Sequence, residues 1–192
     1  MKVLWLTVTA GHGHTQAAKA VMDYLQQQKV ECTLLDTLDY INPILGESVD
    51  KGYLYSTRFT PNVYGKIYNL VDNRDKSEGK FSISHIMNKI LSKKLISFLD
   101  HYKPDVVVCT HIFAAQIISY LQREGTIDAK SIGIITDFTI HPFWEDTDLD
   151  YYVTANELLN HQASKKGIKV EKILPIGIPI HPKFSKKVDK SK

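Results

Sequence analysis

Residues 3–18 read Val3-Leu4-Trp5-Leu6-Thr7-Val8-Thr9-Ala10-Gly11-His12-Gly13-His14-Thr15-Gln16-Ala17-Ala18, and this stretch decides the fold. Its first seven residues are an apolar, partly β-branched run, which is typical of a strand buried on both faces of a sheet. Its end is rich in alanine and keeps a helical spacing of apolar side chains through Val21, Met22 and Leu25. The stretch therefore predicts a strand, a tight glycine turn and a helix whose N-terminus faces whatever the turn binds.

The turn has the chemistry of a ligand site, because a helix N-terminus favours an anion or a polar group and glycine lets a ligand approach the backbone. A P-loop is excluded, since no lysine follows Gly11 or Gly13. These glycines match the first two of the dinucleotide fingerprint, but Gln16 stands in place of the third. Asp36 lies near the position of the ribose-binding acid, so a nucleotide- or dinucleotide-binding module remains an alternative.

The rest of the chain alternates strands with helices. The pattern predicts further strands at 30–36, 106–109, 131–135, 150–154 and 172–176, and helices at 83–102, 112–123 and 157–166. This alternation predicts an α/β fold, a Rossmann-like and mostly parallel sheet with helices on both faces. Cys32 and Cys109 fall in predicted strands and are interpreted as small buried apolar side chains.

Four polar side chains follow strands at the same edge of this sheet. His14, His111, Asp137 and His141 come after the carboxyl ends of strands, where open α/β sheets bind ligands. A role as a helix cap or turn cap stays open for His14, His111 and Asp137, and His12 is equally open between a local and a functional role. A metal site is not predicted, because the spacing lacks a compact ligand pair.

Composition sets limits on the class of protein. The chain has 192 residues, 43% hydrophobic and 23% charged, which is ordinary for a soluble globular domain. A net charge of +3 is too small to predict nucleic-acid binding, but it allows contact with an anionic membrane surface. No apolar run approaches the roughly 20 residues of a spanning helix. We expect no signal peptide and a cytoplasmic location.

Four stretches of the chain resemble one family. They are Gly11-His12-Gly13-His14-Thr15-Gln16-Ala17-Ala18, residues 103–111 (KPDVVVCTH), residues 136–144 (TDFTIHPFW) and Gly177-Ile178-Pro179-Ile180. Together they resemble the glycosyltransferases that make glycosyldiacylglycerols, namely plant monogalactosyldiacylglycerol synthases and bacterial processive diacylglycerol glucosyltransferases. More distantly they resemble the enzyme that adds N-acetylglucosamine to lipid-linked peptidoglycan precursors.

The resemblance implies the N-terminal half of a two-domain GT-B glycosyltransferase. Residues 1–182 would be the acceptor-binding domain and 183–192 a basic tail or linker, with the donor-binding domain absent. The parent enzyme would transfer a hexose from a UDP-sugar to diacylglycerol on the inner face of the cell membrane. The UDP-sugar would be a co-substrate bound mainly by the absent domain, and no cofactor is expected. This chain alone is expected to be inactive.

The resemblance also assigns roles to residues. By that resemblance His14 would act as general base. Asp137 is the natural candidate to orient or polarise a site histidine, as carboxylates do beside other catalytic histidines. Contacts to acceptor or lipid are expected for a larger set: Gly11, His12, Gly13, Pro43, Phe59, Tyr64, His111, His141 and Trp144.

The stretch from 41 to 79 is broken by glycine and proline and carries an unusual number of aromatic residues. Two interpretations of this stretch remain. It forms small helices that pack on the sheet, or it forms a surface that lies in the membrane interface. Tyrosine is favoured at headgroup depth, and Lys51, Arg58 and Lys66 would meet anionic lipid there. In the second interpretation, Phe59 and Tyr64 contact the bilayer.

Overall fold

The computed structural model describes residues 1–9, 12–41 and 83–185. Within these ranges there are six strands: β1 (Lys2–Thr7), β2 (Glu31–Asp36), β3 (Val106–Cys109), β4 (Lys130–Ile134), β5 (Tyr151–Val153) and β6 (Ile173–Leu174). The same ranges hold five α-helices: α1 (Gly13–Gln27), α2 (Thr37–Ile41), α3 (Ile83–Tyr102), α4 (Ile112–Arg123) and α5 (Asn160–Lys165). Short 3-10 turns lie at Pro142–Asp146, Glu157–Leu159, Val170–Lys172 and Pro182–Ser185.

The six strands form one parallel sheet in the order β2-β1-β3-β4-β5-β6. The order reverses at β1, since β2 lies on one side of it and β3 on the other. In an open α/β sheet such a reversal leaves a crevice at the carboxyl ends of the two central strands. The start of α1 therefore lies at this crevice, and the predicted α/β fold is confirmed.

Strand β1 is buried on both faces because its side chains alternate between two cores. Leu4 and Leu6 face the core formed with α3 and α4, while Val3 and Trp5 face the core beneath α1. Ala17, Ala18 and Ala20 are the buried residues of α1, and their small side chains let that helix lie close to the sheet. Helices thus cover both faces, as the alternating pattern predicts.

Some element boundaries differ from the sequence prediction. Strand β1 ends at Thr7 and β6 is only two residues long, because the Val170–Lys172 turn precedes it and Pro175 follows it. The predicted helix at 157–166 divides into a 3-10 turn and α5. The expected domain end at residue 182 falls at the start of the Pro182–Ser185 turn.

Cys32 and Cys109 lie in β2 and β3 as free thiols, and Cys109 is buried. In the ranges that the structure describes, no helix combines the length and hydropathy needed to cross a membrane.

Candidate functional site

The candidate site is built around His14, the second residue of α1, at the carboxyl edge of the sheet. Its ring is half-buried, and its Nδ1 atom lies 2.7 Å from the carbonyl oxygen of Thr110. The same Nδ1 lies 2.9 Å from Oγ1 of Thr136. Thr110 follows β3 and Thr136 follows β4, so residues from three parts of the chain meet at this imidazole.

These contacts determine which nitrogen of His14 carries the proton. A carbonyl oxygen only accepts hydrogen bonds, so the short contact to Thr110 requires a hydrogen on Nδ1. In the neutral ring, a hydrogen on Nδ1 leaves Nε2 with a free lone pair. Burial lowers the pKa of His14, against the opposing effects of the Thr110 bond and the charge of Asp137. His14 is therefore held as a neutral imidazole with a basic nitrogen at Nε2.

His111 stands against His14 and has the opposite tautomer. Its ring lies 4.6 Å from that of His14, centroid to centroid, at an angle of 78°. It caps α4, because its Nδ1 accepts a hydrogen bond from the backbone N–H of Phe113 at 3.2 Å. The proton of the neutral ring therefore sits on Nε2.

Electrostatics keep His111 neutral. Only 8% of the residue is exposed, and burial lowers its pKa to about 3, helped by the nearby rings of His14 and His141. Within the described ranges the one hydrogen bond of its side chain is the cap to Phe113, so Nε2–H remains as a donor at the site.

His141 repeats the arrangement of His111 after the next strand. Its Nδ1 accepts from the backbone N–H of Phe143 at 3.3 Å and so caps the Pro142–Asp146 turn. In both cases the histidine ring lies against the phenylalanine two residues later, at 5.1 Å for His111 and 5.0 Å for His141. Both histidines are therefore caps, and each is fixed with its proton on Nε2.

Asp137 lies beside this cluster but does not hold the His14 ring. Its side chain is exposed, and it acts on His14 through its charge, which raises the pKa of the imidazole. The sequence predicts that Asp137 orients or polarises a site histidine, and its charge does act on His14. In the structure the orienting contacts come instead from the Thr110 carbonyl and the Thr136 hydroxyl, because the backbone after β4 places Thr136 inward and Asp137 outward.

Trp144 lies in the core, not at a surface that a lipid could reach. Only 3% of it is exposed, and its ring packs edge-on against Tyr152 with centroids 6.0 Å apart. A Cβ atom at Gly133 would lie 3.0 Å from the indole and 2.9 Å from Leu149, so glycine in β4 makes room for this packing. The expected lipid contact of Trp144 does not match this position, since the indole fills space between the sheet and α4.

The glycine turn is described in part. His12 is exposed and precedes α1 without a side-chain cap, and Gly13 starts the helix with an ordinary φ. A Cβ atom at Gly13 would meet nothing within 4 Å, so the fold itself does not require glycine there. Four predicted contact residues lie outside the described residues: Gly11, Pro43, Phe59 and Tyr64.

Two further observations bear on the alternatives. The carboxylate of Asp36 accepts hydrogen bonds from the backbone and hydroxyl of Thr9 at 2.7 and 2.6 Å, and from the N–H of Asp39 at 3.1 Å. It therefore ties the end of β1 to α2, which disfavours a role as a ribose-binding acid. Among the described side chains no group of three or more potential ligands could hold a metal ion.

Thr110 and Thr136 are the site residues that sequence reasoning missed. Each directly precedes a residue that the sequence does single out, His111 and Asp137, and each follows a buried strand. Their position after strands β3 and β4 was a usable signal. Their contact with His14 was not, because it joins residues 96 and 122 positions apart.

Comparison with known proteins gives concordant matches. The family model described as monogalactosyldiacylglycerol (MGDG) synthase matches residues 14–180. The processive diacylglycerol beta-glucosyltransferase of Bacillus pumilus (strain SAFR-032) is 29% identical over 192 residues, covering 100% of this chain and 49% of the relative. The protein of the same description from Bacillus subtilis (strain 168) is 27% identical over 184 residues, covering 95% of this chain and 47% of the relative.

The chain thus spans about half the length of the curated relatives it matches. Among solved structures, the apo form of the lipopolysaccharide outer core galactosyltransferase WaaB aligns with 92% of this chain and 45% of its own length. The TM-score is 0.55 and the sequence identity 13%, so this likeness concerns the fold alone.

Proposed function

The chain belongs to the monogalactosyldiacylglycerol synthase family, and on that premise we propose that it is the acceptor-binding half of a diacylglycerol hexosyltransferase. The parent enzyme transfers a hexose from a UDP-sugar to the free hydroxyl of diacylglycerol. The observation that carries this proposal is the lone pair on Nε2 of His14, held at the ligand-binding edge of the sheet. The relatives are named as processive diacylglycerol beta-glucosyltransferases, and the chain spans about half of their length.

The chemistry follows from the protonation state of His14. An alcohol is a weak nucleophile at neutral pH, and a neutral imidazole within hydrogen-bond reach removes its proton as the oxygen attacks. The new bond joins the acceptor oxygen to the anomeric carbon of the sugar. The bond from that carbon to the diphosphate breaks, UDP leaves with the electron pair, and the proton remains on Nε2 of His14.

The opposite tautomers of His14 and His111 suit a hydroxyl group. A hydroxyl both donates and accepts hydrogen bonds. Its proton is directed to Nε2 of His14, and its oxygen accepts from Nε2–H of His111, whose ring is the neighbour at 4.6 Å. A carboxylate would place its negative charge against the lone pair of His14, so the pair favours an alcohol as acceptor.

The acceptor also sets the place of action. Diacylglycerol lies in a bilayer with its hydroxyl at headgroup level, so we propose a peripheral enzyme on the cytoplasmic face of an anionic membrane. A net charge of +3 is compatible with such a surface. The segment with Pro43, Phe59 and Tyr64 is the proposed membrane contact and lies outside the described residues. No cofactor is needed in this scheme, because the UDP-sugar is a co-substrate.

A titration of this chain followed by NMR tests the proposal. Dioctanoylglycerol in mixed micelles is expected to shift the ring signals of His14 and His111. Dioctanoylphosphatidylcholine, which lacks the free hydroxyl, is the matched control and should leave them in place. Tight binding of UDP-glucose or a dinucleotide with no response to the diacylglycerol would instead establish the nucleotide-binding module and overturn the proposal.

Gly13→Ala separates folding from ligand approach. We expect the stability of this chain to stay the same or to rise by up to about 0.5 kcal/mol, because the φ of Gly13 suits alanine and helices prefer it. In a full-length enzyme the added methyl group would narrow the space beside His14 and lower kcat/KM by roughly 10- to 100-fold.

Thermal unfolding of the chain and steady-state kinetics of the full-length enzyme measure the two effects of Gly13→Ala. Gly125→Ala is the contrasting variant, because Gly125 has φ of 66° and lies in the turn after α4. It should lose stability without a specific loss of activity. Unchanged kinetics for Gly13→Ala would contradict a close approach of the acceptor to this turn.

A further inference from the structure

We propose that Thr136 is a positioning residue. Its Oγ1 accepts a hydrogen bond from Nδ1–H of His14 and so holds the imidazole with Nε2 as the basic nitrogen. The role rests on the proposed function of His14 as general base. Thr136 follows β4, is half-buried, and places Oγ1 2.9 Å from Nδ1 of a residue 122 positions earlier in the chain. It contacts the base and not the substrate.

The hydrogen count at Nδ1 makes the hydroxyl an acceptor. Nδ1 carries a single hydrogen, which the carbonyl of Thr110 requires at 2.7 Å. Thr136 therefore cannot donate to Nδ1 and must accept a share of the same hydrogen. The resulting three-centre bond leaves the Thr136 O–H free to turn elsewhere. Two neutral oxygens thus occupy the place that a carboxylate takes beside many catalytic histidines.

Two acceptors from different strands fix the ring better than one. With Thr110 alone, small rotations about χ1 and χ2 that keep Nδ1 near the carbonyl oxygen still move Nε2. Oγ1 of Thr136 approaches from the end of β4, while Thr110 approaches from the end of β3. The second contact removes that freedom, and positioning of this kind is worth large factors in rate when reacting atoms must align.

The contact also gains strength during the reaction. When Nε2 takes the acceptor proton, His14 becomes an imidazolium and Nδ1–H becomes a charged donor. Hydrogen bonds from charged donors are about twice as strong as neutral ones. Since only interactions that strengthen in the transition state speed the chemical step, the Thr136 bond contributes to kcat and little to substrate binding.

Other groups around His14 do not replace this contact. His111 packs against the ring at 4.6 Å as a neutral side chain, and His141 lies beyond it as a further cap. The nearby charged group is the exposed carboxylate of Asp137, which raises the pKa of His14 from a solvated position. Neither histidine supplies an acceptor to Nδ1, because each uses its own Nδ1 to cap a backbone N–H.

The test uses ring ¹⁵N signals of His14 in this chain, which report tautomer and pKa without any catalysis. The wild-type chain is expected to show hydrogen on Nδ1. Thr136→Val keeps the shape of the side chain but removes the acceptor, so the Nε2–H tautomer should become detectable. The pKa of His14 should fall by about 0.5 to 1, since the charged ring loses a bond that the neutral ring needs less.

Two matched variants control for packing. Thr136→Ser restores the hydroxyl and should restore both readouts. Thr139→Val removes a hydroxyl from the same loop. That hydroxyl donates to the side-chain oxygen of Gln162 at 3.2 Å and does not contact His14, so both readouts should match wild type. A well-dispersed amide spectrum establishes that each variant is folded. If folded Thr136→Val keeps the wild-type tautomer and pKa of His14, the proposal is overturned.

Kinetics of a full-length enzyme complete the test. Thr136→Val is expected to lower kcat by about tenfold with KM nearly unchanged, and Thr136→Ser should recover most of that loss. A rise in KM with unchanged kcat would assign Thr136 to substrate binding and overturn the positioning role. If the wild-type enzyme transfers no hexose to diacylglycerol, the proposed function fails, whereas the ¹⁵N readouts still decide whether Thr136 holds the His14 ring.

Discussion

Replacing His14 with alanine in a full-length enzyme that carries this domain is expected to lower kcat by about 10²- to 10⁴-fold. That is the usual contribution of a general base. The reason is structural as well as chemical, because the Thr110 carbonyl fixes the hydrogen on Nδ1 and leaves Nε2 as the proton acceptor. No other ring in the cluster can take over, since the neutral tautomers of His111 and His141 carry their hydrogen on Nε2.

The same prediction has a pH signature. Burial lowers the pKa of His14 below its usual 6.5, so the free base persists into mildly acidic solution. The midpoint of the acid limb in the rate should therefore lie below pH 6.5, since protonation of Nε2 removes the base. His14→Ala should lose this acid limb along with the rate.

His161→Ala is the matched control for His14→Ala, because His161 is an exposed histidine on α5 and is not one of the three clustered histidines, His14, His111 and His141. It should behave as wild type. Circular dichroism and urea unfolding of the 192-residue chain report the fold of each variant. A His14→Ala enzyme that is folded and turns over normally would remove His14 from the mechanism. A variant that does not fold would instead assign it a structural role.

Trp144→Ala is expected to destabilise the domain by about 3–5 kcal/mol, the usual cost of deleting a large buried aromatic side chain. The indole is 3% exposed and fills the space between Gly133 and the edge of Tyr152. Because Gly133 has no side chain to move into the cavity, the void would persist. Urea unfolding of the chain measures the loss.

Phe138→Ala provides the contrast for Trp144→Ala. Phe138 follows strand β4, as Trp144 does, but it is 80% exposed. Its loss should therefore change the free energy of unfolding by no more than about 0.5 kcal/mol. If Trp144 served the membrane surface, Trp144→Ala would keep wild-type stability and weaken binding to anionic vesicles. That pair of results would contradict the core position of the indole.

The neutral histidine caps explain how one sheet edge carries a base and a hydrogen-bond donor side by side. Each ring nitrogen that accepts from a backbone N–H must carry a lone pair and no hydrogen, which places the hydrogen on the other ring nitrogen. Where the backbone offers a carbonyl instead, as Thr110 does to His14, the tautomer is reversed. The backbone group that meets each Nδ1, an N–H or a carbonyl, thus selects opposite tautomers for side chains of the same type.

The sequence by itself determined the architecture and the edge of the sheet where the site lies. Strands and helices have different periods, so residues 3–18 and the later alternating segments predict a parallel sheet from local pattern alone. Carboxyl ends of parallel strands share one edge, which brings His14, His111, Asp137 and His141 together before any contact is known. The two glycines around His12 predict a ligand site at that edge, and the family resemblance implies that this site binds the acceptor.

Only the tertiary structure decided what each of these side chains does. Hydrogen-bond partners are chosen by distance in space, and Thr110 and Thr136 reach His14 from 96 and 122 positions away. The tautomer of His14 depends on those partners, so no local pattern could predict it, whereas the tautomers of His111 and His141 are set by the backbone N–H two residues later. Tryptophan is equally suited to a core and to a membrane interface. The position of Trp144 was settled by the space above Gly133, because a glycine in β4 leaves room for the indole against the sheet.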